Sequence, residues 1–581
     1  MSQSTVPSDG AIVIPEATAT ASATAAQLDA LIEALAARKD AWVQVDLDRR
    51  TDLLDRMIDD TVAVAEEWAV VAARAKGIAA RTPADGEDMA TGPLMLIRQL
   101  KLLRNTLRDL VEHGEVQLPG EPYERWDGQV AVPVMPASTL ERAMFVGMSA
   151  EVLLRPHVTL ETMQVGGPYR DKQPGRVCFV LGAGNISSIG ASDCLHKLFA
   201  EDQVCILKMN PVNEHVGPYI EHALSALIDA GYLAVVYGGA DVGSHLAGHE
   251  LVDTLHMTGS DKTHDAIVYG VGAEGARRKA ADDPVVDKPF TSELGNVTPI
   301  VVVPGPWSDV DIEYQAKHIV SMVVNNAGFN CGCPRVVVTH RAWARREQLL
   351  DAIRRCLAEA PPRDPYYPGA KDRWQVFLDA HPDAETFGPD GAAALPWTFL
   401  TGLNPQKVDD VAFRVEAFNG VFGEVALDAE RDVSGFLVEA TEFCNEILWG
   451  TLTATILVHP RSQKDPQVAA ALDRALSDLR YGAIGVNTWG AVSYGVISTT
   501  WGAFPGHPRN DIQSGQGVVH NTFLLEDPEK TIVRSAWRLG KKPAMSYDFA
   551  TFPQLIRRMI PLEAYDDWKQ LPGIVLDGMR A

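Results

Sequence analysis

Between Val177 and Ser260 short apolar runs alternate with helix-length stretches, and this alternation constrains the fold more than any other feature. Val177-Cys178-Phe179-Val180-Leu181 reads as a buried strand ending in Gly182-Ala183-Gly184-Asn185, and a helix follows from about Ser188 to Phe199. The strand pattern recurs from Val204 to Leu207, ending at Lys208, and from Leu233 to Tyr237, with a helix from Val216 to Asp229 between. Gly238-Gly239-Ala240-Asp241-Val242-Gly243 opens a further helix, and the strand Thr254-Leu255-His256-Met257 closes on Thr258-Gly259-Ser260. Strands and helices at this spacing predict a parallel sheet covered on both faces, with ligands at the C-terminal edge of the strands. Lys208 and Ser260 stand at that edge. Glycine-rich turns after strands also occur without nucleotides, so the glycines alone do not specify one.

A second α/β section begins after Glu293-Leu294-Gly295-Asn296 with a strand from Ile300 to Val303 and runs to about Asn487, interrupted by a Pro- and Asp-rich surface excursion between Asp364 and Pro396. It carries Asn325-Asn326-Ala327-Gly328-Phe329-Asn330-Cys331-Gly332-Cys333, set between an apolar helical run, Ile319 to Val324, and the β-branched strand Val336-Val337-Val338-Thr339. A cysteine on a small-residue loop between packed elements can be reached by a ligand. Its thiolate is the strongest side-chain nucleophile near neutral pH, and a glycine-rich turn leaves N–H groups free to hold an oxyanion. Taken by itself such a cysteine is more often a small buried hydrophobe. Cys333 is read as structural.

Residues 1 to about 25 are rich in Ala, Thr and Ser and read as a loose tail. Helical periodicity then appears in Leu28, Leu31, Ile32 and Leu35, in Leu53 to Ala65, and from about Pro93 to Glu112. From Val130 to Arg170 the texture turns β-rich, with Val152-Leu153-Leu154 and Val158-Thr159-Leu160 as strand candidates. A C-terminal strand is expected at Thr531-Ile532-Val533.

At 581 residues the chain needs two to three domains. Its 52 Lys and Arg against 76 Asp and Glu give a formal charge of -24, which disfavours nucleic acid and anionic membranes as partners. Seven dispersed cysteines are not a disulfide framework and fit a reducing cytoplasm. No His or Cys pair stands near Cys331 and Cys333 in sequence to complete a metal site, so no metal is expected. No apolar run approaches a membrane span of about 20 residues, and the first positive side chain is Arg38, so a secretory signal is not expected.

Several motifs in one chain order resemble the aldehyde dehydrogenase superfamily over roughly Pro174 to Gly517. Asn326 to Cys331 is similar to that family's nucleophile loop, Ser292-Glu293-Leu294-Gly295 to its general-base motif, and Gly184-Asn185 to the site of its oxyanion-holding Asn. Leu207-Lys208, the segment from His249 to Ser260, and Glu416-Ala417-Phe418-Asn419-Gly420-Val421 resemble its nucleotide-binding motifs. The resemblance implies Cys331, Glu293 and Asn185 as catalytic residues, and Lys208, Gly243, Gly259, Ser260, Glu416 and Phe418 as contacts for NAD or NADP. Where NAD-preferring members carry Glu three residues after the lysine, this chain has Pro211, which leaves NADP open. Asn419-Gly420 replaces the family's Gly-Pro, and Gly182-Ala183-Gly184 replaces a proline turn.

The implied architecture is α/β: a Rossmann-like nucleotide-binding domain (26–150 and 174–290), an α/β catalytic domain (291–504), and a small β oligomerisation arm (151–173 with about 505–581) that includes a C-terminal extension. The implied reaction is NAD(P)-dependent oxidation of an aldehyde to a carboxylic acid through a cysteine thioester, in a homodimer or homotetramer. Two alternatives stand beside it. An acyl-CoA or acyl-thioester reductase of the same superfamily would ordinarily lack Glu293, and a cofactor-independent cysteine esterase or hydrolase would want a His base. A third, non-catalytic relative would have no reason to retain Cys331, Glu293, Asn185 and Lys208 together. Isolated histidines such as His256 and His507 are read as non-catalytic, and Trp489 and Trp501 as candidate walls of the substrate entrance.

Overall fold

A computed structural model describes residues 22–389, 394–429 and 432–580. The expected N-terminal tail lies almost wholly outside the described residues. Two large sheets organise the rest. The six-stranded sheet runs Gly515–Gln516, Phe290–Leu294, Thr254–Gly259, Arg176–Leu181, Gln203–Lys208, Leu233–Val236, and all its pairs are parallel except the first. The chain moves outward from Arg176–Leu181 through two strands and then crosses back to Thr254–Gly259. This reversal opens a crevice between the turn after Leu181 and the turn after Gly259, the position where doubly wound sheets bind ligands.

The apolar runs become strands because both faces are covered. The sheet shares a single core with the N-terminal helices Ala25–Ala36, Leu47–Ala75 and Met95–His113 and with the C-terminal helix Phe552–Tyr565. Helix Leu47–Ala75 starts where Asp46 accepts the Arg49 N–H at 2.7 Å, and Met95–His113 ends on Gly114 in a left-handed conformation. The expected helix from Val216 to Asp229 is broken at Leu224 into Gly217–Ala223 and Ser225–Asp229.

The second sheet has eleven strands. Its parallel centre is Ala483–Val486, Thr453–Leu457, Thr298–Val302, Pro334–His340, Val421–Leu427 and Trp397–Leu403, with Glu385–Phe387 antiparallel at one edge. At the other side Pro528–Arg534 pairs in parallel with Ala483–Val486, and Ser149–Leu154, Val130–Met135 and Tyr123–Glu124 add antiparallel strands. Three readings change here. Val130–Met135 lies in this sheet and not with the helices that precede it, and Gly515–Gln516 lies in the six-stranded sheet. Val158 to Leu160 form a turn, since Val158 and Met163 donate back to Arg155 and Thr159. Among the described residues no helix is long and apolar enough to cross a membrane, and no group of three or more His, Cys, Asp or Glu is placed to hold a metal ion.

Arg98 joins the helical layer, the arm and the C-terminal segment. This buried guanidinium pairs with Glu141 and with Glu563 at 3.1 Å, and donates to the Val496 carbonyl at 2.8 Å. Replacing it with Leu strands two buried carboxylates, so Arg98→Leu is expected to lower unfolding stability by about 3–5 kcal/mol. Urea titration followed by circular dichroism measures this, and a loss below about 1 kcal/mol contradicts it.

Candidate active site

Residues 295–297 are all that separate strand Phe290–Leu294 of one sheet from strand Thr298–Val302 of the other. Glu293 is the penultimate residue of the first strand. Cys331 precedes strand Pro334–His340, whose Pro334 pairs with Thr298. The C-terminal edge of one sheet therefore meets the N-terminal edge of the other, and both side chains lie at that junction. The Thr298 hydroxyl is 2.8 Å from Asn296 Oδ1 and 3.4 Å from the Cys331 carbonyl.

Helix Asp309–Val324 delivers the cysteine loop and ends abruptly, because Asn326, Ala327 and Gly328 are all left-handed (φ 50°, 56° and 77°). Three such residues in a row are strained and need external support. Gly328 is required: a Cβ there would sit 2.3 Å from the Asn419 carbonyl oxygen. Arg335 donates to the Gly328 carbonyl at 3.0 Å and to the Asn419 carbonyl at 2.5 Å. The Asn326 N–H donates to Glu87 at 3.2 Å, and Glu87 is paired with Arg363 at 2.9 Å. Past the turn, Asn330 Oδ1 accepts from the Gly332 N–H at 3.1 Å and lies 3.9 Å from Cys331 Sγ, while the Trp489 indole donates to the Gly332 carbonyl at 2.7 Å. Cys331 is thereby left partly accessible, whereas the other six cysteines are buried. Cys333 points into the core with its thiol 3.5 Å from the Val323 carbonyl.

The turn carrying Asn185 is held from three sides. Asn213 donates to the Ala183 and Ile186 carbonyls at 3.3 and 3.2 Å. Lys76, paired with Asp88 at 2.7 Å, donates to the Asn185 carbonyl at 3.1 Å, as does the Asn326 amide at 3.0 Å. The Asn185 side-chain amide donates to the Phe329 carbonyl at 3.2 Å, two residues before Cys331. An amide nitrogen carries two hydrogens, so one remains for a substrate oxygen.

Burial pushes the Glu293 carboxyl up to about 7; the charge of Asp193 adds to this, and the Trp501 indole and Cys331 thiol oppose it. Burial likewise raises the Cys331 thiol, and the carboxylates of Glu293 and Glu416 raise it further. At neutral pH the site as it stands holds a protonated thiol beside a carboxylate half able to take its proton. Glu416 is pushed up to about 8, first by burial, with Arg335 opposing and with Glu293 and Asp261 adding. Around the thiol the wall is apolar: Met95, Ile186, Ile189, Tyr494, Ala491 and Trp501.

The remaining sequence-predicted residues fall into two groups. Glu416 packs on Gly295, where a Cβ would fall 1.9 Å from its carboxylate oxygen, and Phe418 joins a ring cluster 5.9 Å from Phe329 and 5.0 Å from Tyr367. Both belong with Cys331 and Glu293. Lys208 and Gly243 lie together at the far end of the crevice, with 3.9 Å between the lysine stem and a Cβ built on the glycine. Gly259 and Ser260 cap helix Asp261–Tyr269 between these groups, and the neighbouring Asp261 acts on Glu416. Trp489 and Trp501 are buried, and Trp489 supports the cysteine loop instead of walling an entrance. A cavity of about 160 Å³ lined by Glu87, Asn325, Arg363, Tyr547 and Phe552 lies on the Asn325 side of the loop and contains none of the predicted residues. Sequence reasoning missed Asp193, Tyr494 and the Glu87–Arg363 and Lys76–Asp88 pairs; only the oddity of an Asp in a helix buried along its whole length hinted at the first.

The geometry agrees with what this chain matches. The model of the aldehyde dehydrogenase family matches residues 169–366. That span, about a third of the chain, is aldehyde dehydrogenase family sequence. It is 29% identical over 224 residues to N-succinylglutamate 5-semialdehyde dehydrogenase 1 of Caulobacter vibrioides, a match covering 36% of this chain and 44% of the relative, less than half its length. The fold is similar to the crystal structure of an NAD-dependent aldehyde dehydrogenase from Sinorhizobium meliloti, with a TM-score of 0.58 and 17% identity over 89% of this chain and 88% of that one. It is also similar to the NADP complex of NADP-dependent glyceraldehyde-3-phosphate dehydrogenase from Bacillus halodurans C-125, with a TM-score of 0.57 and 17% identity over 88% and 92% of the two chains.

The buried carboxylate has a stability consequence. Between its ordinary value of 4.5 and about 7, the folded Glu293 keeps a proton that the unfolded chain has lost. Stability therefore falls as pH rises through that window, and the full cost, about 3 kcal/mol, is present above it. Glu293→Gln removes the ionisation. The variant is expected to unfold at higher urea than the parent at pH 8 and at the same urea near pH 4.5; a less stable variant at pH 8 contradicts the assignment.

Proposed function

We propose that the protein oxidises an aldehyde to a carboxylic acid with a nicotinamide nucleotide, through a thioester on Cys331. The observation that carries this reading is the pairing of the one partly accessible thiol with the buried carboxylate of Glu293. Glu293 takes the thiol proton, the thiolate adds to the aldehyde carbon, and the Asn185 amide with the Cys331 backbone N–H holds the oxyanion; one such donor is worth about 3–4 kcal/mol of barrier. The nicotinamide, when bound, accepts the hydride that leaves the adduct. Glu293 then activates the water that hydrolyses the thioester. The presence of this base favours hydrolysis over transfer to coenzyme A. The apolar wall around the thiol favours an aldehyde with a hydrocarbon chain or ring.

The residues present fit a dinucleotide. The buried Lys208 ammonium makes a single 3.5 Å contact, to the Met209 carbonyl, and Glu416 Oε1 has no partner, among the described residues. Lys208 and Gly243 would hold the adenosine end, Gly259 and Ser260 the pyrophosphate, and Glu416 and Phe418 the nicotinamide end. Asp241 and Glu214 act on Lys208. Two carboxylates there accept ribose hydroxyls and repel a 2′-phosphate, which favours NAD over NADP. Unpaired cysteines support a cytoplasmic location, and exposed Trp126, Val146 and Leu160 on the arm support a homodimer or homotetramer.

An aldehyde panel (short aliphatic, long aliphatic, aromatic) with NAD, NADP and coenzyme A tests the reading. Carboxylate and NADH are the expected products, and Cys331→Ala is expected to lose about 10⁴-fold or more of the rate. Acyl-CoA as the only product, or esterase turnover with no NADH or NADPH binding by fluorescence, contradicts it. NADH is expected to bind at least about tenfold more tightly than NADPH, a gap of about 1.4 kcal/mol that Asp241→Asn narrows; equal affinities contradict the role of the two carboxylates.

A further inference from the structure

The segment from Asp364 to Pro396, read from sequence as a surface excursion, turns inward at Tyr366 and Tyr367, and both rings are half-buried. Tyr366 is committed to the cysteine loop: its hydroxyl lies 3.2 Å from the Asn185 carbonyl and 3.0 Å from Asn326 Oδ1. Tyr367 is placed differently. Its ring lies on Phe329 at 5.7 Å with 29° between the planes, and it meets Phe418 edge-on at 5.0 Å. Its hydroxyl reaches the six-stranded sheet, at the turn after Leu181. A Cβ built on Gly184 would stand 3.0 Å from that hydroxyl and 2.8 Å from Asn210 Oδ1, so a side chain at this buried position would displace one or both.

Both walls around Tyr367 are tied down. Arg373 donates to the Pro368 carbonyl at 2.9 Å and to the Ala417 and Phe418 carbonyls at 3.2 and 3.4 Å. It therefore fixes the residue after Tyr367 to the segment that carries Glu416 and Phe418. That segment needs fixing, because Phe418 is left-handed (φ 44°). On the other wall, Asn210 donates to the Gly182 carbonyl at 3.3 Å and accepts from the Val212 N–H at 3.0 Å. Tyr367 thus spans the crevice from Phe418 to the glycine turn, between the two groups of residues assigned to the ends of a dinucleotide.

A hydroxyl so placed ordinarily finds a partner. The Tyr367 hydroxyl makes no hydrogen bond among the described residues, and Glu416 Oε1 has none either. Burial raises the Tyr367 hydroxyl, Arg373 opposes this and Glu416 adds to it, so the hydroxyl is a protonated donor at neutral pH. A donor and a carboxylate that act on each other yet stay unpaired suit a group that both accepts and donates. A ribose hydroxyl is such a group.

We propose that Tyr367 is a nucleotide-contacting residue: its ring, set against Phe418, walls the nicotinamide half of the dinucleotide, and its hydroxyl donates to a ribose hydroxyl of that half, which in turn donates to Glu416. The proposal rests on the nucleotide reading above. Because the same ring lies on Phe329, two residues before Cys331, the nicotinamide half and the cysteine loop share one wall.

Binding of NADH, followed by its fluorescence enhancement, tests this without turnover. Tyr367→Phe removes the hydroxyl alone and is expected to weaken NADH about 3–10-fold. Tyr367→Leu removes the aromatic wall as well and is expected to weaken it further. The loss is confined to one half of the ligand. By calorimetry, reduced nicotinamide mononucleotide is expected to lose affinity for Tyr367→Phe by the same factor, while 5′-AMP keeps its parental affinity. Equal NADH affinity in the parent and Tyr367→Phe overturns the role of the hydroxyl, and so does a loss that AMP shares equally. A parent that binds neither NADH nor NADPH overturns the proposed function as a whole, whereas a parent that binds NADH no better than its variants overturns Tyr367 alone.

Discussion

Three residues between two strands determine where the chemistry of this protein can happen. Because residues 295–297 connect the end of one sheet to the start of the other, the C-terminal edge of the six-stranded sheet and the N-terminal edge of the eleven-stranded sheet share one junction. Glu293 enters from the first edge and Cys331 from the second. The crevice of the doubly wound sheet opens onto the same place, since the turn carrying Asn185 and the turn carrying Gly259 flank its reversal point. The proposed nucleophile, base and nucleotide site therefore come together through the way two sheets are joined.

Holding that junction open goes against packing. Three consecutive left-handed residues precede the cysteine, and the ion pairs Glu87–Arg363 and Lys76–Asp88 brace the turns on either side. A carboxylate sits in an apolar wall at a raised pKa, and a second, Asp193, lies enclosed behind it. Strain and buried charge brought together at one junction are the pattern expected of a catalytic site.

Much of this could be read from residues alone, for identifiable reasons. Buried parallel strands are continuous apolar runs, so Val177 to Leu181 and Val336 to Thr339 announce themselves, and Thr531 to Val533 did so even as a lone segment. The cysteine loop and the Glu293 motif were visible because small and left-handed residues are needed where a chain must turn sharply. The break at Leu224 was hidden, because a one-residue interruption leaves helical periodicity intact. Val158 to Leu160 mimicked a strand because β-branched residues also suit a turn anchored by threonine hydroxyls. Trp489 looked like an entrance wall, yet its indole N–H found a backbone partner and its ring went inside. Asp193 and the arm strand Val130–Met135 depended on long-range pairing that no local pattern encodes.

The account stands on acyl transfer to one sulfur. Acid-quenching the protein during turnover with aldehyde and NAD, then mapping peptides by mass spectrometry, tests it most directly. The acyl mass is predicted on the peptide that holds Cys331 and Cys333, with fragment ions placing it on Cys331, and on no peptide containing the other five cysteines. NADH released while that peptide stays unmodified, or an adduct carried at another residue, would contradict the account.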